Sequence, residues 1–318
     1  MNLLNLKTIG LLIIVAVALV LPLGLSDYWQ YVLTVAFFYA IMAASWNLLG
    51  GYTGQFSLAH HTFGMIGAYT SALLMAKAGA SLWISVPAAV VLTMILSLIL
   101  GIICLRVAGL YLALITWAVA EVVRNYSRMH YTFTGGDRGL DAPLMFGTLQ
   151  PTPYYYFFLG LTILVIAFIY VLMRSRIGFY LRSIRDDAIA ARSMGVNIVR
   201  YKVLAFIVAS GIAGLAGTFY GHSIGLISPV LGDFNEMAMI IIFVVIGGMR
   251  TQAGPVAGAI MVRVTMELLR EQSEIRIIIL SALVILIMRF FNGGLMESVR
   301  RVRKLFGRTQ ERVSAYRE

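Results

Sequence analysis

The stretch WISVPAAVVLTMILSLILGIICL, residues 83–105, contains no charged side chain. A helix rises about 1.5 Å per residue, so roughly 20 apolar residues cross the hydrocarbon of a bilayer, and this run is long enough to do so alone. Comparable runs lie on both sides of it, at 9–25, 29–49 and 58–76 before it and at 109–123, 154–173, 203–223, 237–248, 255–269 and 275–291 after it. The chain of 318 residues is 60% hydrophobic and 12% charged, with a mean hydropathy of +0.88. So much apolar surface needs lipid as its solvent. The expected fold is an all-α, polytopic transmembrane bundle of about ten membrane segments, eight of them full spans and two broken or re-entrant. The run at 237–248 is the short one. It reads as a half-span, a tilted broken helix, or part of a longer segment that takes in the polar stretch 233–236.

Charge sets the orientation. In a soluble protein the net charge of +11 would suggest nucleic acid, but here it is loop charge, and no nucleic-acid partner is expected. If the chain alternates sides from a cytoplasmic amino terminus, 17 Lys and Arg fall inside and six outside. The inside set is Lys7, Arg106, Arg250 and those of 174–202 and 300–317, which satisfies the positive-inside rule and places both termini in the cytoplasm. Eight crossings with two re-entrant segments preserve the same parity. The sole cysteine, Cys104, lies in an apolar run, so neither an intrachain disulfide nor a Cys-based metal motif is available. The first run follows Lys7 as a signal peptide would, yet it continues into Asp27-Tyr28-Trp29 without a small-residue cleavage pattern and reads as a retained anchor.

A weak internal repeat is visible. Gly50-Gly51-Tyr52-Thr53-Gly54-Gln55 and Gly247-Gly248-Met249-Arg250-Thr251-Gln252 each follow an apolar run, with the glycine pair and the glutamine in the same register. Broken helices at corresponding positions of two halves offer backbone polar groups to a solute in transporters; simple helix termination is the other reading. Gly211, Gly214, Gly217, Gly221 and Gly225 recur every three or four residues, as do Gly64, Gly67 and Ser71, and Gly254 and Gly258. Such faces let helix backbones approach closely in lipid, so Gly214, Gly217 and Gly221 are expected to be packing residues.

The longest strongly charged interruption is 174–202. Leu181, Ile184, Ala188 and Ala191 make one stripe of a short helix there, with Arg182, Arg185, Asp186 and Arg192 elsewhere and Gly195 as its stop. Held between two spans, this helix either docks its small residues into a groove on a cytosolic partner or lies among headgroups with its arginines on anionic lipid.

Further motifs occur in order along nearly the whole chain: Gly51-Tyr52-Thr53-Gly54-Gln55-Phe56-Ser57-Leu58-Ala59-His60 running on to Gly67-Ala68-Tyr69-Thr70, Gly109-Leu110-Tyr111-Leu112-Ala113-Leu114, Thr134-Gly135-Gly136, Arg182-Ser183-Ile184-Arg185-Asp186-Asp187 through Met194-Gly195-Val196-Asn197 to Arg200-Tyr201-Lys202, Ala213-Gly214-Leu215-Ala216-Gly217 and Ile227-Ser228-Pro229. In this set the chain resembles the LivM-type permease subunits of branched-chain amino-acid ABC importers. The resemblance implies a single permease domain over 1–318 in a prokaryotic inner membrane, with a coupling loop at 174–202 and a basic cytoplasmic tail at 292–318. It implies as partners a second homologous permease subunit, two cytoplasmic ATP-binding subunits and an extracytoplasmic solute-binding protein. Leu181, Ile184, Arg185, Asp186, Asp187, Ala188, Ala191, Met194 and Gly195 would receive the ATPase motion. Departures from the family pattern are Ala59 where Gly is usual, His61 as a second imidazole, Arg250 within the usual Gly-Gly-x-Gly-Thr, and Asn292 in place of a common Pro.

No Gly-x-x-x-x-Gly-Lys-Ser/Thr loop and no His-Glu-x-x-His occur, so the chain is expected to bind no cofactor, and ATP would be used by partner subunits. An enzyme is not expected. Translocation-path candidates are the polar or backbone-exposing residues Asn47, Gly51, Gln55, Ser57 and His60 near the first glycine pair and Gln252 near the second. Glu121, Arg263 and Glu267 are charged within apolar runs, and Arg263 and Glu267, four apart, are placed to pair. The solute is branched-chain amino acids in the preferred reading. Urea, short amides or other amino acids carried by the same machinery are the alternative, and an ATP-independent facilitator or channel is the second.

Overall fold

The computed structural model describes residues 13, 15–104, 107 and 109–271, with scattered positions between 278 and 294. Apart from those positions, the apolar run at 275–291 and the tail at 292–318 lie outside the described residues. The architecture is helical: α1 (Val15–Gly24), α2 (Asp27–Gly50), α3 (His60–Ala78), α4 (Leu82–Cys104), α5 (Leu110–Met129), the single turn α6 (Tyr131–Thr134), α7 (Pro151–Arg174), α8 (Arg176–Asp186), α9 (Ala188–Ser193), α10 (Ile198–Ile224), α11 (Phe234–Gly247) and α12 (Gly254–Leu268). Among the described residues α2, α4, α7 and α10 are long and apolar enough to cross a membrane; α3 and α5 are more polar, and α1, α11 and α12 are shorter.

Burial separates the long helices into two groups. The most apolar stretch of α2 is 94% buried and that of α10 is 72% buried, against 28% for α4 and 33% for α7. α2 is therefore the central post and α10 its main neighbour, while α4 and α7 keep a broad apolar face outward, as lipid-facing helices do. α2 packs against α3, α7, α10, α11 and α12, and α10 packs against α3 and α4 as well. Trp46, Tyr155, Phe158, Phe206 and Phe243 lie fully buried in the core so formed.

Glycines set the two closest helix crossings. A Cβ on Gly67 would lie 2.3 Å from the Gly214 carbonyl oxygen, and one on Gly217 would lie 2.1 Å from that of Gly64, so α3 and α10 touch backbone to backbone. A Cβ on Gly247 would lie 1.8 Å from the Gly254 oxygen, and one on Gly258 would lie 2.1 Å from the Phe243 oxygen, which makes α11 and α12 an equally tight antiparallel pair. Gly221 is different, because a Cβ there meets the Ile227 side chain at 2.8 Å. The short run at 237–248 resolves as α11, which begins three residues earlier behind the cap of Asp233, whose carboxylate accepts from the Asn235 N–H at 2.9 Å. With 14 residues it is about 21 Å long, shorter than a full span.

The helices alternate in direction, which leaves two distinct ends. At one, the two-residue strands β1 (Leu140–Asp141) and β2 (Leu226–Ile227) pair antiparallel, Leu140 with Ile227 and Asp141 with Leu226, tying the α5–α7 connection to the α10–α11 connection. Arg124 of α5 bonds Asp233 at 2.6 Å and Glu121 at 2.7 Å at this end. At the other end sit α8 and α9, the end of α2 and the α11–α12 turn.

Candidate functional site at the loop end

Residues 174–202 fold as two helices. α8 stops at Asp187, whose extended backbone breaks the helix and whose carboxylate then caps α9 by accepting from the Ile189 and Ala190 N–H groups at 2.9 and 3.0 Å. The stripe read from the sequence thus spans a break. Its residues turn inward: Leu181, Ile184 and Ala191 are buried, Ala188 is half-buried, and Ile184 and Ala191 pack with Ile198 and Tyr201 of α10. This corrects the expectation that the alanines offer a contact face. The most exposed apolar residues of the segment are Ile189 at 81% and Met194 at 85%, beside exposed Asp186, Asp187, Arg192 and Gly195; Phe179 of α8 and Val199 of α10 are exposed as well. Ile189 was missed in the sequence because it lies off the stripe, which is also the signal that could have revealed it.

α8 is fastened to the bundle through arginines. Arg182 donates from Nε to the Gly178 carbonyl of its own helix at 3.2 Å and from a guanidinium nitrogen to the Met173 carbonyl at 3.1 Å, the latter a group freed where α7 ends. Arg185 donates to the Gly51 carbonyl at 3.2 Å and pairs with Asp186 at 2.5 Å. The first glycine turn therefore rests directly on α8.

Within that turn Gln55 is buried, donating to Thr53 Oγ1 at 2.8 Å and to the Lys202 carbonyl at 3.3 Å. It braces the start of α10. Ser57 is buried as well: its carbonyl accepts from the Trp46 indole at 2.8 Å. His60 is fully buried, with Nε2 2.7 Å from Ser45 Oγ.

Asn47 brings the two repeat elements together. Its amide donates to the Thr251 carbonyl at 2.9 Å, and its oxygen accepts from the Arg250 N–H at 3.1 Å. One buried side chain at the end of α2 thereby holds the α11–α12 turn. Gly51 must be glycine, since a Cβ there would fall 2.0 Å from Asn47 Oδ1. Asn47, Tyr52 and Gln252 line a void of about 10 Å3 with Ala44, Ile166 and Ile169. Thr251 Oγ1 closes the turn, donating to the Gly248 carbonyl at 2.8 Å and accepting from the Gly254 N–H at 3.1 Å. Of the path candidates, Asn47, Gly51 and Gln252 thus meet around one contact, whereas Gln55, Ser57 and His60 belong to separate hydrogen-bond sets.

The other charged candidates are paired. Arg263 lies 3.8 Å from Glu267, which also bonds Tyr28 and Arg270. At the strand end, Arg128 donates to Asp137 at 2.7 Å and holds its carboxyl below the usual carboxylate range. Among the described residues no group of three metal-ligating side chains occurs.

The family described as "Branched-chain amino acid transport system / permease component" matches residues 28–291. The chain belongs to this family. Among curated proteins, the high-affinity branched-chain amino acid transport system permease protein LivM of Escherichia coli (strain K12) is 30% identical over 93% of this chain and 76% of its own length. LivM of Salmonella typhimurium (strain LT2) is 29% identical with the same coverage. The LivH permease protein of that Salmonella strain is 25% identical over 81% of this chain and 91% of its own length. No solved structure matches. Membership of the permease family accounts for the polytopic helical architecture. It also gives meaning to one departure noted in the sequence. Arg250, noted above as interrupting the pattern the resemblance implies, is the only non-glycine residue with positive φ among those described, at +68°, a conformation that favours glycine.

Proposed function

We propose that this chain is a permease subunit of an ATP-driven ABC importer for branched-chain amino acids. The observation that carries the reading is the match to LivM across nearly the full chain. The additional likeness to LivH supports pairing with a second permease subunit of the same fold. A solute-binding protein would deliver solute at the strand end and two ATP-binding subunits would engage the loop end; in this reading the loop end and both termini lie in the cytoplasm of a prokaryotic cell, which the Lys and Arg asymmetry supports. The local structure suits such a partner. Exposing a large aliphatic side chain forgoes about 1.5–3 kcal/mol relative to burying it, and Ile189 and Met194 stand exposed on a loop that Leu181, Ile184 and Ala191 fasten to the bundle. The chain itself supplies no ATPase chemistry in this reading. It supplies the route and the surface that receives the motion.

The test is reconstitution with the ATP-binding and solute-binding proteins in liposomes, following leucine, isoleucine and valine uptake with and without enclosed ATP. ATP-dependent uptake that Ile189→Asp abolishes, with the variant still inserted, is the expected result. Equal uptake without ATP would establish a facilitator instead, and undiminished ATP-driven uptake by Ile189→Asp would assign α9 to the headgroup layer.

A further inference from the structure

At the strand end, α2, the start of α7 and the end of α10 enclose a cleft of about 440 Å3 that none of the contacts above uses. Asp27, Tyr31, Thr34 and Val35, at spacings of four, seven and eight, put one face of α2 along it, opposite Ser223 of α10 and Pro151 of α7. Sites for small molecules fall at roughly 300–1,000 Å3, and the cleft has that size; its wall joins the apolar Val35, Leu149 and Pro151 and the rings of Tyr31 and Tyr154 to the polar Asp27, Thr34, Gln150 and Ser223.

The same α2 face continues inward in a regular series. One turn beyond Val35 comes Phe38, whose ring stacks on Tyr220 of α10 with centroids 3.9 Å apart and planes 10° from parallel. Beyond the stack, Phe38, Met42, Gly217, His61 and Glu236 border a second void of about 10 Å3, room for about one water. His61 Nε2 is 2.9 Å from the Gly232 carbonyl, while its Nδ1 is buried without a protein partner. A further turn along α2 brings the Ser45–His60 hydrogen bond, where His60 Nδ1 is likewise buried and unpartnered. A buried polar atom left unsatisfied is costly, and in a membrane span the remedy is water or a polar solute reaching it. An open cleft, an aromatic closure and two unpartnered imidazole nitrogens thus follow one another along the α2–α10 seam.

We propose that the cleft is a solute site of this permease and that the Phe38–Tyr220 stack is the gate at its inner side. The ligand class is a small zwitterion with an aliphatic side chain. The Asp27 carboxylate takes the ammonium group, and Val35 and Pro151 take the aliphatic part. The assignment rests on the permease reading, including its orientation of the strand end to the outside.

The test uses the assembled complex in liposomes, in a Cys104→Ser background, with single cysteines at Ser223 and Met42 and a bulky membrane-impermeant thiol reagent added outside. Ser223→Cys is expected to react, to react more slowly in excess leucine, and to lose leucine uptake on modification, measured against the same variant before treatment. Met42→Cys is expected to stay unreactive until Phe38→Ala is added, or Tyr220→Ala where the first double variant does not assemble. Uptake unchanged after Ser223→Cys is modified, no protection by leucine, or equal Met42→Cys labelling with and without the aromatic pair would overturn the proposal. These results concern a complex that imports leucine with ATP. Absence of ATP-driven uptake in the unmodified complex would refute the permease reading instead.

Discussion

Alanine substitutions at four glycines should separate backbone contact from mere small-residue composition. A methyl on Gly217 would sit 2.1 Å from the Gly64 oxygen, about 1.4 Å short of an ordinary contact of ~3.5 Å. The atoms it meets are backbone, so relief requires α3 and α10 to move apart along the crossing. Overpacking typically costs about 1–3 kcal/mol, and rigid neighbours place Gly217→Ala near ~3 kcal/mol at the top of that range. Gly67→Ala meets the Gly214 oxygen at 2.3 Å and belongs with it. On the same stripe, however, a Cβ at Gly64 meets the flexible Met42 Cε at 3.3 Å and backbone no nearer than the Ala213 oxygen at 3.5 Å and Gly217 Cα at 3.8 Å, so Gly64→Ala should cost under ~1 kcal/mol. Gly160 of α7 has nothing within 4 Å, and Ala there should stabilise by up to ~1 kcal/mol through helix propensity. The assay is the half-life of the folded peak in detergent at a fixed elevated temperature, because unfolding of such proteins is commonly irreversible. The expected order of survival is Gly160→Ala, then Gly64→Ala, then Gly67→Ala and Gly217→Ala together. If Gly217→Ala survives as long as Gly64→Ala, the α3–α10 crossing is looser than described and the reasoning fails.

Replacing Arg250 by Gly should stabilise the α11–α12 turn by about 0.5–1 kcal/mol, since a left-handed conformation costs an L-residue ~1–2 kcal/mol and glycine returns part of that as chain entropy; the same survival assay reads it, and a shorter half-life would contradict it. Asn47→Leu leaves the Thr251 carbonyl and the Arg250 N–H without their buried partner, at ~1–3 kcal/mol each, and should reduce both survival and uptake; wild-type behaviour in both would show the turn is held by other means. Asp187→Ala removes the α9 cap, worth ~1 kcal/mol, and should raise amide hydrogen exchange at 188–193 while leaving the membrane helices protected; unchanged exchange there would mean α9 is held by packing alone.

Helix periodicity and composition made the membrane class, the glycine faces and the charged loop legible, because each is a local property of the sequence. Both small-residue faces, Gly214 and Gly217 on α10 and Gly64 and Gly67 on α3, could be recognised, but not that they pack on each other, since which stripe meets which is a tertiary fact. The loop shows the limit more sharply. Leu181, Ile184, Ala188 and Ala191 fit one helical stripe, yet Asp187 serves its own backbone better as a cap than as a helix interior residue, and the break turns the alanines inward and Ile189 outward. Gln55 matched Gln252 in register and still went to a different task, because the Lys202 carbonyl at the start of α10 lies within its reach. The outer cleft had no sequence signature at all: Tyr31, Pro151 and Ser223 are distant in the chain and ordinary in type.

The repeated glycine turns and the charged loop form one contiguous structure. Arg185 of α8 binds the Gly51 carbonyl, Gly51 lies against the Asn47 side chain, and Asn47 bonds both Arg250 and Thr251. A displacement of α8 by a bound partner would therefore press first on the end of α2, the most buried helix, and then on the turn joining two helices that are themselves locked together at Gly247, Gly254 and Gly258. Rigid pairs transmit such a displacement, whereas loosely packed ones absorb it. Contact alone does not establish coupling. What the contacts determine is where coupling has to be measured. In a double-mutant cycle between Arg185→Ala and Asn47→Leu, scored by uptake, the two losses combine less than additively if both residues serve one element, and they add if the loop and the turns act separately.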